Sequence, residues 1–375
     1  MEFSWNEDQR QLYAQTLQFA REHLKPDATE FDRDAWAQAG AFGLLGLCVP
    51  EALGGEGLDA LSTAYAMEAF GSGCEDTGFV FSAAAHLFAC TMPIADFASA
   101  SLRESIVPRL ASGQWIGANA ITEPGAGSDV FALTTRAHED GDGYRITGQK
   151  SYVTNGPVAD LFLVYATTNP AFGHMGVTAF AVPRETAGIT IGRPFDKTGL
   201  SSSPVCPVYF EDARVSKDAI VGRVGQGSTI FRLSMQWERA CLFGLYVGVM
   251  DRQLARCVEY ASSRTQAGRA IGRNQGIGHK LADMKLRLEA ARLLLYRACW
   301  AFDQGHDAEL DICLSKLAIS EAAIRSGLDA IQIHGGAGCM TEVGIERTLR
   351  DAIPAAIFSG TSEIQRNLIA TGLGL

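Results

Sequence analysis

The chain has 375 residues, 47% of them hydrophobic and 20% charged, which is typical of a folded globular protein and excludes global disorder. Its net charge of −10 argues against nucleic acid as a partner. The N-terminus has neither the basic region nor the apolar region of a signal peptide, and no uninterrupted apolar run is long enough to span a membrane. We therefore expect a cytoplasmic protein without membrane contact. The nine scattered cysteines lack metal-ligand spacing, which predicts reduced core residues, Cys241 and Cys339 included, and no metal site.

Residues 1–115 are predicted to form a helical N-terminal domain. A loop over 50–57 precedes a helix over 60–70, and alanine-rich apolar segments continue to about Leu110. Before Pro26, a stripe at helical spacing is formed by Leu12, Leu17, Phe19, Ala20 and Leu24.

Two further domains are predicted after this one. Residues 116–225 form a β-domain, because short alternating runs are separated by turn residues; the runs are 133–137, 144–146, 161–166 and 177–182. The paired Asp-Gly steps at 140–143 favour a tight hairpin, so we expect an antiparallel, barrel-like sheet. Residues 226–375 return to helical periodicity and predict a C-terminal four-helix bundle; the segments are 230–262, 275–304, 308–332 and a helix from about Ser362. The fold class is therefore α+β.

The most informative segment is 121–130, ITEPGAGSDV, at the junction of the first two domains. Gly125 and Gly127 let the backbone approach a ligand and present amides to an anion. Thr122 and Ser128 add hydroxyl groups. The string is neither a dinucleotide-binding GxGxxG nor a phosphate loop ending in GK[ST].

This segment resembles the flavin-binding segment of the acyl-CoA dehydrogenase family. Four more segments follow in family order: QKSYVTNG (149–156), an arginine motif at Arg264, QIHGGAG (332–338) and SGTSEIQR (359–366). In the arginine motif, Ala267 stands where the family usually has phenylalanine. The resemblance covers essentially the whole chain and implies the fold of that family, bound FAD, and a homotetramer or homodimer in which two chains contribute to each FAD site.

The resemblance also implies roles for individual residues. Ile121 and Thr122 would contact the flavin ring, Thr154 would bond near N5, and Ser128 would meet the pyrophosphate or the thioester arm of the substrate. Further FAD contacts are implied for Gly127, Tyr152, Thr361 and Glu363. Contacts to the FAD of a neighbouring subunit are implied for Arg264, Gln275, Gln332, Gly335 and Gly336.

The catalytic base is expected on the long helix after the β-domain. The commonest family pattern has a glutamate directly before the C-terminal Gly-Thr, but this chain has Ser359 there. A second family solution places the glutamate on the long helix before an arginine, which matches Glu238-Arg239 in SMQWERACL (234–242). Apolar surroundings would raise the pKa of this carboxyl group, as suits a base near neutral pH. Glu238 would remove the α-proton while the β-hydride passes to flavin N5; the alternative is a surface glutamate paired with arginine.

Several stretches resemble the family branch that oxidises L-prolyl groups on a peptidyl carrier protein to pyrrolyl-2-carboxyl thioesters. They include FSAAAHLFAC (81–90), SMQWERACL and 295–312. This resemblance implies a carrier protein with a phosphopantetheine-linked substrate as partner, and oxygen or an electron-transfer flavoprotein as electron acceptor. Expected substrate contacts are Ser128, Trp237, Arg239, Phe358 and Ser359.

Three alternatives remain open at this stage. The first is dehydrogenation of a short or branched acyl-CoA, or of another acyl-carrier thioester; the others are a non-catalytic scaffold and a flavin monooxygenase. His86 is expected to be a satisfied buried histidine. The cationic stretch 252–287 is either a docking site for an acidic partner or a solvated helix face.

Overall fold

The computed structural model describes residues 4–24 and 29–375, so Pro26 lies outside the described residues. The N-terminal helices are α1 (Glu7–His23), α2 (Arg33–Ala41), α3 (Ala60–Gly73), α4 (Thr77–Ala84), α5 (Met92–Phe97) and α6 (Ala100–Ala111). Asn6 begins α1 with a capping box, because its side chain accepts from the Gln9 amide and the Gln9 side chain accepts from the Asn6 amide. A π-helical segment, Ala85–Thr91, joins α4 to α5.

The helical stretch Thr77–Phe97 bears on the expectation of no membrane contact. By length and composition it is apolar enough to cross a bilayer. His86 and small polar residues divide it into shorter apolar runs, so a search for one uninterrupted apolar run does not find it. Within the protein, 94% of its most apolar window is buried. Its apolar composition is therefore explained by its position in the core.

The middle of the chain forms one eight-stranded sheet. Its strands are β1 (Gly117–Ala120), β2 (Arg136–Asp140), β3 (Gly143–Thr154), β4 (Leu161–Thr167), β5 (Val177–Pro183), β6 (Ile189–Ile191), β7 (Val205–Ser216) and β8 (Ile220–Val221). The order is β6-β7-β3-β2-β4-β5-β8, with β1 beside β4. The predicted strands correspond to β2, β3, β4 and β5. The barrel-like closure was wrong: the sheet is open, because β6 and β8 at its two ends do not pair with each other, and the β1–β4 and β2–β4 pairings are parallel.

The pairing of β4 explains where the glycine-rich segment lies. β1 pairs with the first half of β4, from Leu161 to Val164. β2 pairs with the last residue of β4, Thr167, along the same edge of that strand. The chain therefore leaves this edge of β4 after Ala120 and returns at Arg136, so residues 121–135 project from the sheet. The strand β4 is buried on both faces: alternate residues, beginning with Leu161, face the helical core, and those between them, beginning with Phe162, face the core of the β-domain.

The C-terminal helices are α7 (Gly227–Trp237), α8 (Gly244–Ser263), α9 (Gln275–Asp303), α10 (Glu309–His334), α11 (Ile345–Ala352) and α12 (Ser362–Gly372). A short hairpin, β9 (Thr265–Gln266) with β10 (Arg269–Ala270), connects α8 to α9. The predicted helix over 230–262 is α7 and α8 joined by a π-helical segment, Glu238–Leu242. Helix α8 packs closely on α3, where a Cβ at Gly248 would lie 2.1 Å from the carbonyl oxygen of Glu68. The N- and C-terminal helices thus share one hydrophobic core.

Candidate active site

A cavity of about 780 Å³ lies between the projecting loop, strand β3 and the C-terminal helices. Both π-helical segments border it, through Ala85 and Ala89 in the first and Glu238 in the second. Wide π-turns are frequent at functional sites. Eleven of the predicted site residues line this cavity: Ile121, Thr122, Gly127, Ser128, Tyr152, Thr154, Glu238, Arg239, Phe358, Ser359 and Thr361.

Glu238 is a buried carboxyl group at the first position of its π-helical segment. Burial raises its pKa above the ordinary value, while the hydrogen bond from Ser359 and the charges of Arg239 and Lys316 oppose the rise. A carboxylate whose pKa is moved toward neutrality can accept a proton efficiently in a water-poor cavity. The electrostatics of this site therefore suit a general base.

Ser359, which lies between α11 and α12, forms a hydrogen bond to that carboxylate. Its hydroxyl donates to Oε1 of Glu238. Its own carbonyl oxygen accepts from Nε of Arg239 at 2.7 Å and from Nε2 of Gln365 at 3.3 Å. The backbone of Ser359 is left-handed, with φ of 55°, so these contacts fix an unusual conformation. Arg239 thus positions the Ser359 turn and also lines the cavity.

A buried ion pair fixes the glycine-rich loop, and the sequence analysis missed it. Glu123 and Lys150 are both buried, with Oε1 and Nζ 2.8 Å apart. Thr134 and Thr135 donate further hydrogen bonds to the carboxylate, and Nζ also donates to the carbonyl oxygen of Ile121 at 3.1 Å. Burial alone would raise the pKa of Glu123, but Lys150 and these hydrogen bonds lower it to about 2. The ion pair therefore fixes the start of the loop, where Ile121 and Thr122 line the cavity.

The loop leaves room and polar groups for a flavin with its diphosphate. A Cβ built at Gly125 or Gly127 would meet no atom within 4 Å, so the space before their amides is open. The buried Oδ1 of Asn119, which lines the same cavity, has no hydrogen-bond partner among the described residues. With the hydroxyl groups of Thr122 and Thr154, these groups fit FAD, because amides and hydroxyls can bond both the ring edge and the diphosphate.

The residues assigned to a neighbouring subunit's FAD lie elsewhere in the chain. They are exposed where α8 ends, α9 begins and α10 ends: Arg264, Gln275, Gln332, Gly335 and Gly336. The rings of Tyr260 and His334 stack there with centroids 4.2 Å apart and join α8 to α10. Glu363 is also exposed and outside the cavity lining, in the first turn of α12, where its own backbone amide and Thr361 lower its pKa. A role for these residues therefore requires a second chain and stays a prediction.

The cavity wall contains a different aromatic residue from the one expected. Trp237 lies outside the lining and packs edge-on against Phe302, with ring centroids 5.0 Å apart. Phe81, which the sequence analysis did not single out, contacts Phe358 at 4.6 Å, and both rings line the cavity. Its signal was its place at the start of FSAAAHLFAC. The apolar wall is thus built from two distant segments.

His86 behaves as a satisfied core histidine, as expected. Its Nδ1 accepts from the amide of Gly117 at 2.8 Å, and its Nε2 bonds to the carbonyl oxygen of Leu110 at 3.1 Å. Burial lowers its pKa to about 4, so the ring is neutral. Among the cysteines, Cys241 is buried as expected, whereas Cys339 is exposed beside the glycine turn after α10, so its predicted core role was wrong.

This architecture, with a glycine-rich loop facing a buried carboxylate across one cavity, defines the class of FAD-dependent dehydrogenases. The N-terminal, middle and C-terminal domain models of acyl-CoA dehydrogenase match residues 6–114, 118–213 and 225–374. The chain belongs to the acyl-CoA dehydrogenase family and is an FAD-dependent oxidoreductase.

Full-length relatives have a more specific activity in their names. The chain is 50% identical to an L-prolyl-[peptidyl-carrier protein] dehydrogenase of Pseudomonas fluorescens, with 100% of both chains covered. It is 43% identical to the enzyme of the same name from a Serratia species, covering 100% of this chain and 99% of the other. The solved structure described as PigA with FAD and proline matches with a TM-score of 0.98 at 43% identity, over 100% of both chains.

Proposed function

We propose that the chain oxidises an L-prolyl thioester on a peptidyl carrier protein to the pyrrolyl-2-carboxyl thioester, with Glu238 as the catalytic base. The observation that carries the proposal is the buried Glu238 carboxylate, held by Ser359 inside the cavity that the flavin loop lines. The names of the two full-length relatives support the choice of substrate.

The proposed reaction begins with the proton on the substrate α-carbon. The thioester makes that proton more acidic, and Glu238 removes it. Because Ser359 occupies Oε1, and the described residues offer Oε2 no hydrogen bond, Oε2 is the atom that takes the proton. Phe81 and Phe358 give the same cavity an apolar wall, and burial raises the pKa of the Glu238 carboxyl group.

The cofactor site supplies the other half of the reaction. Bound FAD is the two-electron acceptor for the hydride that leaves the β-carbon. Ile121, Thr122 and Thr154 would hold the flavin ring, and the Gly127 amide with the Ser128 hydroxyl would meet the diphosphate or the substrate arm. Conversion of prolyl to pyrrolyl requires a second two-electron oxidation that removes hydrogens from other atoms of the ring, and we propose oxygen or an electron-transfer flavoprotein as the final acceptor. We also propose a cytoplasmic homotetramer or homodimer, because the second group of FAD residues lies outside the chain's own cavity.

Mass spectrometry of prolyl-loaded carrier protein, after incubation with the enzyme and an electron acceptor, tests this proposal. Loss of four hydrogens from the loaded carrier is the expected result, and a Glu238→Gln enzyme is the matched control. A short or branched acyl-CoA is the second candidate, because its pantetheine thioester presents the same reactive end to the cavity. An unchanged carrier mass, together with bleaching of the flavin by short acyl-CoA esters alone, would favour that candidate.

A further inference from the structure

A second hollow, of about 510 Å³, adjoins the active-site cavity. The two share Phe131, Thr229 and Arg232 in their linings. The second hollow opens between the β4–β5 connection, residues 168–176, and the turn between β8 and α7, residues 222–226. The second hollow therefore adjoins the active-site cavity, and we call its opening the mouth.

The rim of this mouth exposes apolar side chains. Met175 is 60% exposed and Val224 is 55% exposed, and both line the second hollow, while Phe172 in the same β4–β5 connection is 60% exposed. The amide of Gly225 donates to Oγ1 of Thr178 at 2.9 Å and fixes the turn against the sheet. Clustered apolar side chains on a fixed surface mark interaction sites.

The same rim has two cations that the rest of the described chain does not neutralise. The guanidinium groups of Arg223 and Arg232 have no ion pair or side-chain hydrogen bond among the described residues, in a chain with a net charge of −10. We name the surface formed by Phe172, Met175, Arg223, Val224 and Arg232 the mouth surface.

The basic stretch 252–287, the earlier candidate for an acidic partner, is different. The guanidinium of Arg252 is turned inward and donates to the carbonyl oxygen of Gly71 at 2.6 Å. Lys280 and Arg287 both pair with Asp329. The exposed Arg264 and Arg273 lack such partners among the described residues, but neither lines the active-site cavity or the second hollow, so this stretch does not border the mouth.

We propose that the mouth surface docks the carrier protein that delivers the thioester. Arg223 and Arg232 face the phosphodiester at the root of the phosphopantetheine arm, because arginine binds phosphate oxygens well. Phe172, Met175 and Val224 pack against apolar side chains of the carrier around the arm; methionine, aromatic residues and arginine are enriched at such interfaces. This inference rests on the proposed function and adds the face on which the partner binds.

Two variants test the mouth surface without touching the active-site lining. They are Arg223→Glu and the double variant Met175→Asp with Val224→Asp; Arg10→Glu, an exposed charge reversal on α1, is the control. Three quantities are measured on the FAD-loaded enzyme: binding of prolyl-loaded carrier, anaerobic flavin reduction by that carrier, and flavin reduction by a carrier-free prolyl-pantetheine thioester. The mouth variants should lose roughly ten-fold or more in carrier binding and in kcat/KM with the carrier. Their reduction by the small thioester should match that of the control.

Four other outcomes would count against the docking site. Unchanged carrier binding in both variants would overturn it, and so would an equal loss with the small thioester, since that would place these residues on the arm or in the fold. Slower reoxidation by an electron-transfer flavoprotein, with unchanged flavin reduction, would assign the surface to the electron acceptor instead. Failure of the unmodified enzyme with both prolyl substrates would overturn the proposed function and the docking together.

Discussion

The hydroxyl of Ser359 donates a hydrogen bond to Oε1 of Glu238, although 121 positions of sequence separate the two residues. Ser359 stands directly before the C-terminal Gly-Thr, where the common family pattern has a carboxylate. In this chain the same position contributes a hydrogen-bond donor to a carboxylate on the long helix. Ser359 therefore lies in the site as a hydrogen-bond donor, and the proposed base is Glu238.

Removing the Ser359 hydroxyl should raise the pKa of the base. We expect Ser359→Gly to move the acid limb of the kcat/KM profile upward by about one to two pH units, because a hydrogen bond to a charged group contributes about 1.5–3 kcal/mol. Glycine accepts the positive φ at this position, so the fold is preserved. Ser359→Ala should show the same shift together with a lower melting temperature. An unmoved acid limb in both variants would contradict the role of this hydrogen bond.

Lys316 is a second influence on Glu238. Its buried Nζ lies 5.5 Å from the ring centroid of Phe243 and has no hydrogen-bond partner among the described residues. Burial lowers its pKa to about 8, so it is still mainly cationic at pH 7, and its charge lowers the pKa of Glu238. We expect Lys316→Met to move the acid limb upward, by less than the Ser359 change, without loss of thermal stability, because an unpaired buried charge is costly. A downward shift would contradict this assignment.

The Glu123–Lys150 pair should matter for both stability and cofactor retention. Glu123→Gln leaves the Lys150 ammonium buried without its counter-charge, so we expect a loss of about 3–5 kcal/mol in the free energy of unfolding and weaker FAD retention. Chemical denaturation and the flavin absorbance after gel filtration measure these effects. Adding Lys150→Met should recover part of the lost stability. If the double variant is as unstable as the sum of the single variants, the two residues do not act as a pair.

The same pair predicts an acid limit to stability. The pKa of Glu123 is about 2 in the fold and 4.5 as the ordinary value, so its contribution is complete above pH 4.5 and is lost as the pH falls toward 2. Thermal melting of the unmodified enzyme should therefore fall more steeply over this range than melting of Glu123→Gln. Parallel curves for the two proteins would contradict the lowered pKa.

Mixed oligomers test the residues that are predicted to contact the FAD of a neighbouring subunit. Arg264→Ala should weaken FAD retention although Arg264 is exposed and outside its own chain's cavity. When Arg264→Ala chains are co-expressed with Glu238→Gln chains, activity should return, because one chain then supplies the base and the other the arginine to the same site. Isolation by two affinity tags ensures that the mixed oligomer is measured. An inactive mixed oligomer would contradict the contribution in trans.

The sequence predicted those features that depend on local pattern. Alternation identified β2 to β5, and the segments around Glu238 and 121–130 placed the base and the flavin loop in one cavity. The short strands β1, β6 and β8 were missed because two to four residues are too few to show a period.

Other features depend on packing that sequence spacing does not record. Glu123 and Lys150 are 27 positions apart, and only the pairing of the loop with β3 brings them together. Trp237 was expected at the cavity but packs against Phe302, whereas Phe81, which was not expected there, contacts Phe358 in the cavity wall. Whether the end strands β6 and β8 pair with each other decides between an open sheet and a barrel, and an alternating pattern does not determine this.

Anaerobic flavin reduction of Glu238→Gln by prolyl-loaded carrier tests the central proposal, Glu238 as the base, most directly. The variant is nearly isosteric, so it should retain yellow FAD and bind the loaded carrier as the unmodified enzyme does. Its flavin should stay oxidised over times in which the unmodified enzyme is bleached, a loss of at least about a hundred-fold in rate. Bleaching of the variant at the unmodified rate would contradict the assignment of Glu238.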